Sequence, residues 1–236
     1  MSAVRSLIRR LRAEANPAAV AGMAAFGIRA DTVLGISMPV LRILAREVGR
    51  NHTLAGELWD TGIHEARILA SLIDDPEAVT EIQMERWVAG FDSWDVCDQC
   101  CLNLFTHTPY AFRKAAQWAG RPGEFFKRAG FVLMACLAVH DKEAPDRRFH
   151  PFFSLIRREA QDERNFVRKA VNWALRQIGK RNPALNKQAL NCALRIQKEA
   201  DGGTSWVASD ASRELRSSAV QRRIRSASAR RGTRKA

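Results

Sequence analysis

An indole and a carboxylate lie four residues apart near the middle of this chain. Ser93 can cap a helix beginning at Trp94 and reaching about Phe105, which would place Trp94 and Asp98 on one face. The opposite face would carry an apolar stripe: Val96, Cys100 and Leu104. A carboxylate can stabilise positive charge and orient a water molecule, and an indole face attracts cations. The structural alternative is a half-buried Trp94 in a helix interface, with Asp98 paired to an arginine.

A second set of polar residues lies on a helix predicted over 164–181. Its core face is apolar, and Lys169, Trp173, Arg176 and Lys180 follow at helical spacing on the other side. An indole among cations suits a phosphate backbone with an exposed sugar or base, although a solvated charged face remains the alternative.

The start of a third helix carries two adjacent cations, Lys127 and Arg128, followed by a run that is apolar nearly all round. The pair could hold phosphate on a rigid wall. The alternative is an arginine at a helix end, paired with Glu124 or Asp98.

Charge indicates a polyanionic partner. The 236 residues carry a formal net charge of +13, and the segment from Arg213 to Ala236 holds nine basic residues and one Glu. Nucleic acid is the expected partner, because few large apolar residues accompany these charges for insertion into a membrane. The sequence shows neither a membrane-spanning run nor a secretion signal. Five cysteines without a second CxxC pair predict reduced thiols rather than a zinc site or a disulfide framework. A cytoplasmic, nucleoid-associated location is expected, or a nuclear one in a eukaryote.

Composition and periodicity predict an all-α fold. Alanine, leucine and arginine dominate, β-branched residues never alternate over a strand length, and no gap is long enough for an interdomain linker. Aromatic residues open helices at intervals of 31 to 41 residues, which is typical of HEAT-like arrays of paired helices. These residues are Trp94, Phe125, Phe166 and Trp206. We predict one HEAT-like domain over 1–216 and a basic, disordered tail over 217–236.

Four motifs in order resemble the AlkD-like family of DNA alkylation-repair glycosylases, over about Pro17 to Leu215. The motifs are Leu34-Gly35-Ile36-x-x-Pro39, Ser93-Trp94-Asp95-x-x-Asp98, Phe126-Lys127-Arg128-Ala129 and Lys169-Ala170-Val171-Asn172-Trp173-Ala174-Leu175-Arg176. The resemblance implies an α-solenoid whose concave groove binds duplex DNA as a monomer and excises N3- and N7-alkylated purines without a metal or cofactor.

The resemblance also implies roles for individual residues. Trp94, Asp98 and Trp173 would surround the deoxyribose of the damaged nucleotide, and Arg128 would hold the adjacent backbone. The other predicted DNA-contacting residues are Lys127, Lys169, Arg176, Lys180, Phe26 and Ser37. Phe26 stands where the family would have a tyrosine. Two alternatives remain: a non-catalytic DNA-binding protein of the same fold, and a HEAT-type protein-interaction scaffold.

Overall fold

The computed structural model describes residues 3–28, 32–200 and 205–232, and the side chains of this part through residue 226. These residues form helices, turns and loops without a strand, so the all-α prediction is confirmed. None of the helices in this part has both the length and the apolar character that a membrane span requires.

Fourteen α-helices follow one another in the described residues. The first seven are α1 (Ala3–Ala13), α2 (Pro17–Ala25), α3 (Met38–Val48), α4 (His52–Asp60), α5 (His64–Ile73), α6 (Glu81–Ala89) and α7 (Trp94–Asn103). The others are α8 (Ala111–Ala119), α9 (Glu124–His140), α10 (His150–Glu159), α11 (Asn165–Gly179), α12 (Pro183–Glu199), α13 (Trp206–Arg216) and α14 (Ser218–Gly232). Short 3-10 helices occupy Phe105–His107 and Asp146–Arg148.

The chain divides into two compact units, Met1–Tyr110 and Ala111–Ala236, which meet in sequence without a linker. The sequence predicted a single domain over 1–216, and it gave no signal for this division. Helices α1 to α7 belong to the first unit, and α8 to α14 belong to the second.

In the first unit, α5 packs against both α3 and α7. Helix α4 packs on α5, and α1 packs on both α4 and α5. Trp59 of α4 and Trp87 of α6 stack with ring centroids 4.2 Å apart and planes within 5°. Trp59 also packs on Phe91, and Trp87 packs on Phe105 just after α7, so a buried aromatic cluster joins α4 and α6 to the segment that follows α7.

In the second unit, α9 is the central helix and packs between α8 and α11. All of its residues from Arg128 to Ala138 are buried, so the sequence that is apolar nearly all round forms a core helix. A side chain at Gly130 would approach the backbone nitrogen of Ala119 to 2.4 Å, which shows how closely α8 and α9 lie. Helix α11 packs in turn on α13.

The basic tail differs from the prediction. Helix α14 spans Ser218–Gly232, where the sequence predicted disorder from 217 onward. Ile224 is buried, and Gln221 donates hydrogen bonds to the Leu215 carbonyl at 2.7 Å and to Asn186 Oδ1 at 3.2 Å. The prediction of disorder is therefore wrong for these residues, because one apolar side chain and local caps attach a sequence rich in alanine and arginine to α12 and α13. Residues 233–236 lie outside the described part.

Candidate functional site

Helix α7 has the two faces that its sequence predicts. Val96, Cys100 and Leu104 are fully buried, whereas Trp94 and Asp98 are only half-buried. The indole Nε1 of Trp94 donates a hydrogen bond to the Phe26 carbonyl at 3.0 Å. Trp94 is thus fixed by a backbone partner from the end of α2, and its carboxylate neighbour one turn along remains partly accessible.

A buried network, which the sequence analysis missed, holds the start of α7. His64 Nε2 lies 2.8 Å from Asp95 Oδ2, and the Ser93 hydroxyl donates to Asp95 Oδ1 at 2.7 Å. The backbone N–H of Val96 donates to the same Oδ1 at 3.0 Å. Asp95 thus caps its own helix from within the first turn. Ser93 occupies the N-cap position, as predicted, but its hydroxyl binds Asp95 rather than the helix backbone.

The pKa values of both partners shift toward the charged forms. Burial by itself would lower the pKa of His64, but the hydrogen bond and charge of Asp95 outweigh it and raise that pKa above 6.5. Burial would likewise raise the pKa of Asp95, but hydrogen bonds from His64 and Ser93 lower it. A charged pair in a site where His64 is 3% exposed makes a firm support for Trp94 and Asp98.

The Leu34–Ile36 loop is organised by a second buried carboxylate outside the predicted motifs. Glu65 Oε1 accepts the backbone N–H groups of Gly35 at 2.7 Å and Ile36 at 3.2 Å, and Oε2 accepts that of Leu34 at 2.9 Å. Gly35 has a φ of +76°, and a Cβ there would meet the Asn16 carbonyl oxygen at 2.2 Å. The residues of this motif are therefore needed for the conformation of the loop, whether or not the loop contacts a ligand.

Two residues near this loop were predicted to contact DNA. Ser37 is exposed at the N-cap of α3 and makes no side-chain capping bond. Phe26 is 72% exposed just after α2, with its carbonyl on Trp94. An aromatic ring this exposed does not contribute to the core, and it is available for stacking on a base.

Arg128, in the second unit, is 6% exposed, which is deeper than a cation on an open wall. Its NH1 group donates to the Phe166 carbonyl at 2.6 Å, and its guanidinium lies 5.9 Å from the Phe166 ring. Arg128 thereby fixes the start of α11. The guanidinium is held rigidly by partners from this neighbouring helix.

Lys127 next to it lies in an ion cluster. Its ammonium group pairs with Glu159 and lies 3.3 Å from Asp162. Hydrogen bonds from Arg164, followed by one from Lys127, lower the pKa of Asp162 to about 2, against the effect of burial. Lys127 was predicted to contact DNA, but the structure gives it two carboxylate partners in the protein.

Helix α11 has the predicted core face, with Val167, Val171, Ala174, Leu175 and Ile178 buried. On its other side Lys169 is exposed and Trp173 is half-buried. Arg176 and Lys180 both pair with Glu214 of α13, which the sequence analysis did not foresee. Burial would raise the pKa of Glu214, but hydrogen bonds from Lys180 and Arg176 lower it. Part of the predicted outward face is therefore covered by α13.

The structure brings Phe26, Trp94 and Asp98 near one another within the first unit. The second unit holds Arg128, Lys169 and Trp173 on α9 and α11. That these two sets form one site stays a prediction.

Comparisons with known proteins identify the family. The profile of a family described as DNA alkylation repair enzyme matches residues 7–215. A solved structure from "a new family of proteins related to the HEAT-like repeat DNA glycosylases with affinity for branched DNA structures" is 19% identical, with a TM-score of 0.76 over 89% of this chain and 93% of that one. This likeness confirms the HEAT-like repeat fold. No curated protein matches the sequence. The chain belongs to the family of DNA alkylation repair enzymes.

Proposed function

We propose that this protein is a monofunctional DNA glycosylase, which hydrolyses the N-glycosidic bond of cationic N3- or N7-alkylated purines in duplex DNA. The observation that carries the proposal is the pair on α7. Asp98 and Trp94 are half-buried one helical turn apart, in a member of a DNA alkylation repair family.

The proposed reaction places modest demands on the protein. An N3- or N7-alkylated purine is positively charged and already a good leaving group, so the C1′–N bond breaks with its electron pair moving to the base. The sugar then carries positive charge, which the Asp98 carboxylate would stabilise while orienting the attacking water. The indoles of Trp94 and Trp173 would favour the cationic nucleotide by about 0.5–2 kcal/mol each. This scheme requires no metal, no cofactor and no nucleophilic lysine.

The surroundings of α7 support such a role. Catalysis by a fixed charge depends on a group that does not reorganise as the reaction proceeds. Trp94 is held by the Phe26 carbonyl, and the helix start is held by the buried pair of His64 and Asp95. These contacts limit the movement of both residues that would face the sugar.

The predicted DNA contacts fall into two groups. Lys169, Phe26 and Ser37 are exposed and suited to contact DNA as they stand. Lys127, Arg176 and Lys180 already pair with carboxylates. Arg128 of α9 is buried against the start of α11. We propose that Arg128 contacts the backbone beside the lesion. For the paired cations, binding a phosphate would require a change of partner.

Base release from N7-methylguanine-containing duplex DNA tests the proposal under single-turnover conditions. Asp98→Asn should lower the rate about 10²–10³-fold, because an amide cannot offset the charge on the sugar. Asp92→Asn is the matched control, since Asp92 is an exposed carboxylate six residues earlier that pairs with Arg67. Unchanged excision by Asp98→Asn, or an equal loss in Asp92→Asn, would refute the assignment.

A second candidate is a non-catalytic DNA-binding protein of the same fold. The solved relative with affinity for branched DNA favours it. If this candidate is right, the wild-type protein should release no base from methylated duplex DNA and should bind a four-way junction more tightly than a linear duplex of equal length. For either function we propose a monomer acting in a compartment that holds DNA, the cytoplasmic nucleoid or a nucleus.

A further inference from the structure

Three arginines that none of the predicted motifs includes form a row, two of them on α3 and the third just after its C-cap Gly49. Arg42, Arg46 and Arg50 follow at four-residue intervals, are exposed, and line an open recess of about 640 Å³. Ile43, which is 47% exposed, and Leu72 of α5 give the recess an apolar wall. Surface arginines are common, so the neighbours of the row decide whether it is a site.

The row is poorly neutralised. Within the described part of the chain, Arg42 and Arg46 have no carboxylate partner. Arg50 lies 3.6 Å from Asp75, but both side chains are exposed, and such pairs contribute little. Glu47, the acidic residue on the same helix, pairs with Arg10 instead. The positive charge of the row is therefore available to an anionic ligand.

The spacing of the row fits a nucleic acid strand. Arg42 and Arg46 lie one turn apart on α3, about 6 Å along its axis, and Arg50 lines the same recess beyond the end of the helix. A strand of B-DNA has one phosphate per 3.4 Å of the duplex axis, so the two helical arginines alone reach about two phosphates, and Arg50 supplies a third cation. Arginine binds phosphate in a planar, two-pronged geometry, which lysine cannot reproduce.

The position of α3 connects the row to the candidate site. Helix α3 packs on α5, and α5 packs on α7, the helix that carries Trp94 and Asp98. A contrasting row on α1, Arg5, Arg9 and Arg12, lines a separate recess beside Thr61, and α1 packs on α4 and α5. The two rows thus have similar charge and spacing but line separate recesses of the first unit.

We propose that Arg42, Arg46 and Arg50 bind successive phosphates of one strand of undamaged duplex, and so hold DNA on the first unit independently of sequence and lesion. This inference rests on the proposed function in that the ligand of the protein is DNA. It does not require the protein to break a glycosidic bond.

The test is the salt dependence of binding to a short undamaged duplex, measured by fluorescence anisotropy. Replacing all three arginines by glutamine (Arg42→Gln, Arg46→Gln, Arg50→Gln) should reduce the slope of log K against log salt by about 2.7, at about 0.9 for each phosphate contact. Between about 50 and 200 mM salt, the wild type should therefore lose about 40-fold more affinity than the variant. The matched control (Arg5→Gln, Arg9→Gln, Arg12→Gln) removes the same charge and should change the slope by less than one contact, about 0.9.

Further variants test whether a change in the salt slope comes from the lost charge or from misfolding. Arg42→Lys, Arg46→Lys and Arg50→Lys together should keep most of the slope, because the charges remain. If the triple glutamine variant does not fold, Arg42→Gln and Arg46→Gln made singly should each lower the slope by about 0.9. Equal losses in the α3 and α1 variants, or no loss in the α3 variant, would overturn the inference.

Excision by the wild type separates this inference from the proposed function. A protein that releases no methylated base but shows the α3-dependent slope would refute the glycosylase function and support the row. If the protein releases the base but its salt slope does not depend on Arg42, Arg46 and Arg50, the proposed phosphate binding by the row is refuted and the glycosylase function stands.

Discussion

Helices α3 and α11 carry cations at similar intervals, but the cations of the two helices differ in whether they pair with carboxylates. Arg42 and Arg46 on α3 face a recess without a carboxylate partner in the described residues. Arg176 and Lys180 on α11 pair with Glu214 of α13, which packs on α11. The charge of a helix face is therefore not a property of that helix alone. A neighbouring element decides whether a cation serves the fold or remains available to a ligand.

The comparison predicts the largest effect on stability where a paired cation is buried. His64→Ala should lower the free energy of unfolding by about 3 kcal/mol, because it leaves the Asp95 carboxylate without its charged partner. Urea denaturation measures the loss. His150→Ala is the control: this imidazole is exposed and its hydrogen-bond partner is the neutral amide of Gln188, so the loss should be about 0.5 kcal/mol or less.

The same pair gives a pH dependence with a definite sign. The folded-state pKa of His64 is raised above its ordinary value of 6.5, so its contribution is fully present below that pH and is lost as pH rises through the folded pKa. The stability difference between wild type and His64→Ala should accordingly shrink as pH increases above about 6.5. A difference that grows with pH would contradict the ion pair.

Removing Glu214 should convert the α11 row into one like that of α3. Glu214→Gln removes the carboxylate partner of Lys180 and leaves Arg176 with Asp210 at 4.0 Å, so the salt slope of DNA binding should steepen by between about 0.9 and 1.8, equivalent to about 3- to 12-fold in affinity between 50 and 200 mM salt. Glu199→Gln removes a carboxylate from another arginine, Arg157, and should leave the slope unchanged. An unchanged slope in Glu214→Gln would mean that Arg176 and Lys180 do not reach DNA.

The ion cluster around Lys127 should contribute to folding rather than to DNA binding. Asp162→Asn should destabilise the protein by about 1 kcal/mol at neutral pH, because its main partner Arg164 is about one-third exposed and the pair is screened by solvent. The folded-state pKa of Asp162 is about 2, below its ordinary value of 3.8, so the contribution is present above 3.8 and is lost as pH falls through about 2. Urea denaturation from pH 2 to 6 checks this, and a difference that is constant over that range would count against the assignment.

The smallest effect is expected from giving the α3 row a carboxylate of its own. Ile43→Glu places an acid at an exposed position one turn from Arg46, and should lower the salt slope by about 0.9, or three- to fourfold in affinity between 50 and 200 mM salt. Ile43→Gln removes the same apolar surface without the charge. If the two variants bind DNA equally, the α3 arginines do not compete for phosphate.

Local features of this protein followed from the sequence. The apolar stripes of α7 and α11 were predicted correctly, because a period of 3.6 residues depends only on neighbouring residues. The all-α, HEAT-like fold was predicted from composition and the spacing of helix-opening aromatics.

The partners of the charged groups were decided by the tertiary structure. Asp95 and His64 are separated by 31 residues, Gly35 and Glu65 by 30, and Arg176 and Glu214 by 38. Each pair joins residues about one HEAT-like repeat apart. At that separation the sequence offers several acids and cations as possible partners for each charged group. Packing between successive helices selects one of them, and burial then makes the choice costly to reverse. The sequence determined which residues face away from the core, whereas only the packed helices determined which of those cations remained available to DNA.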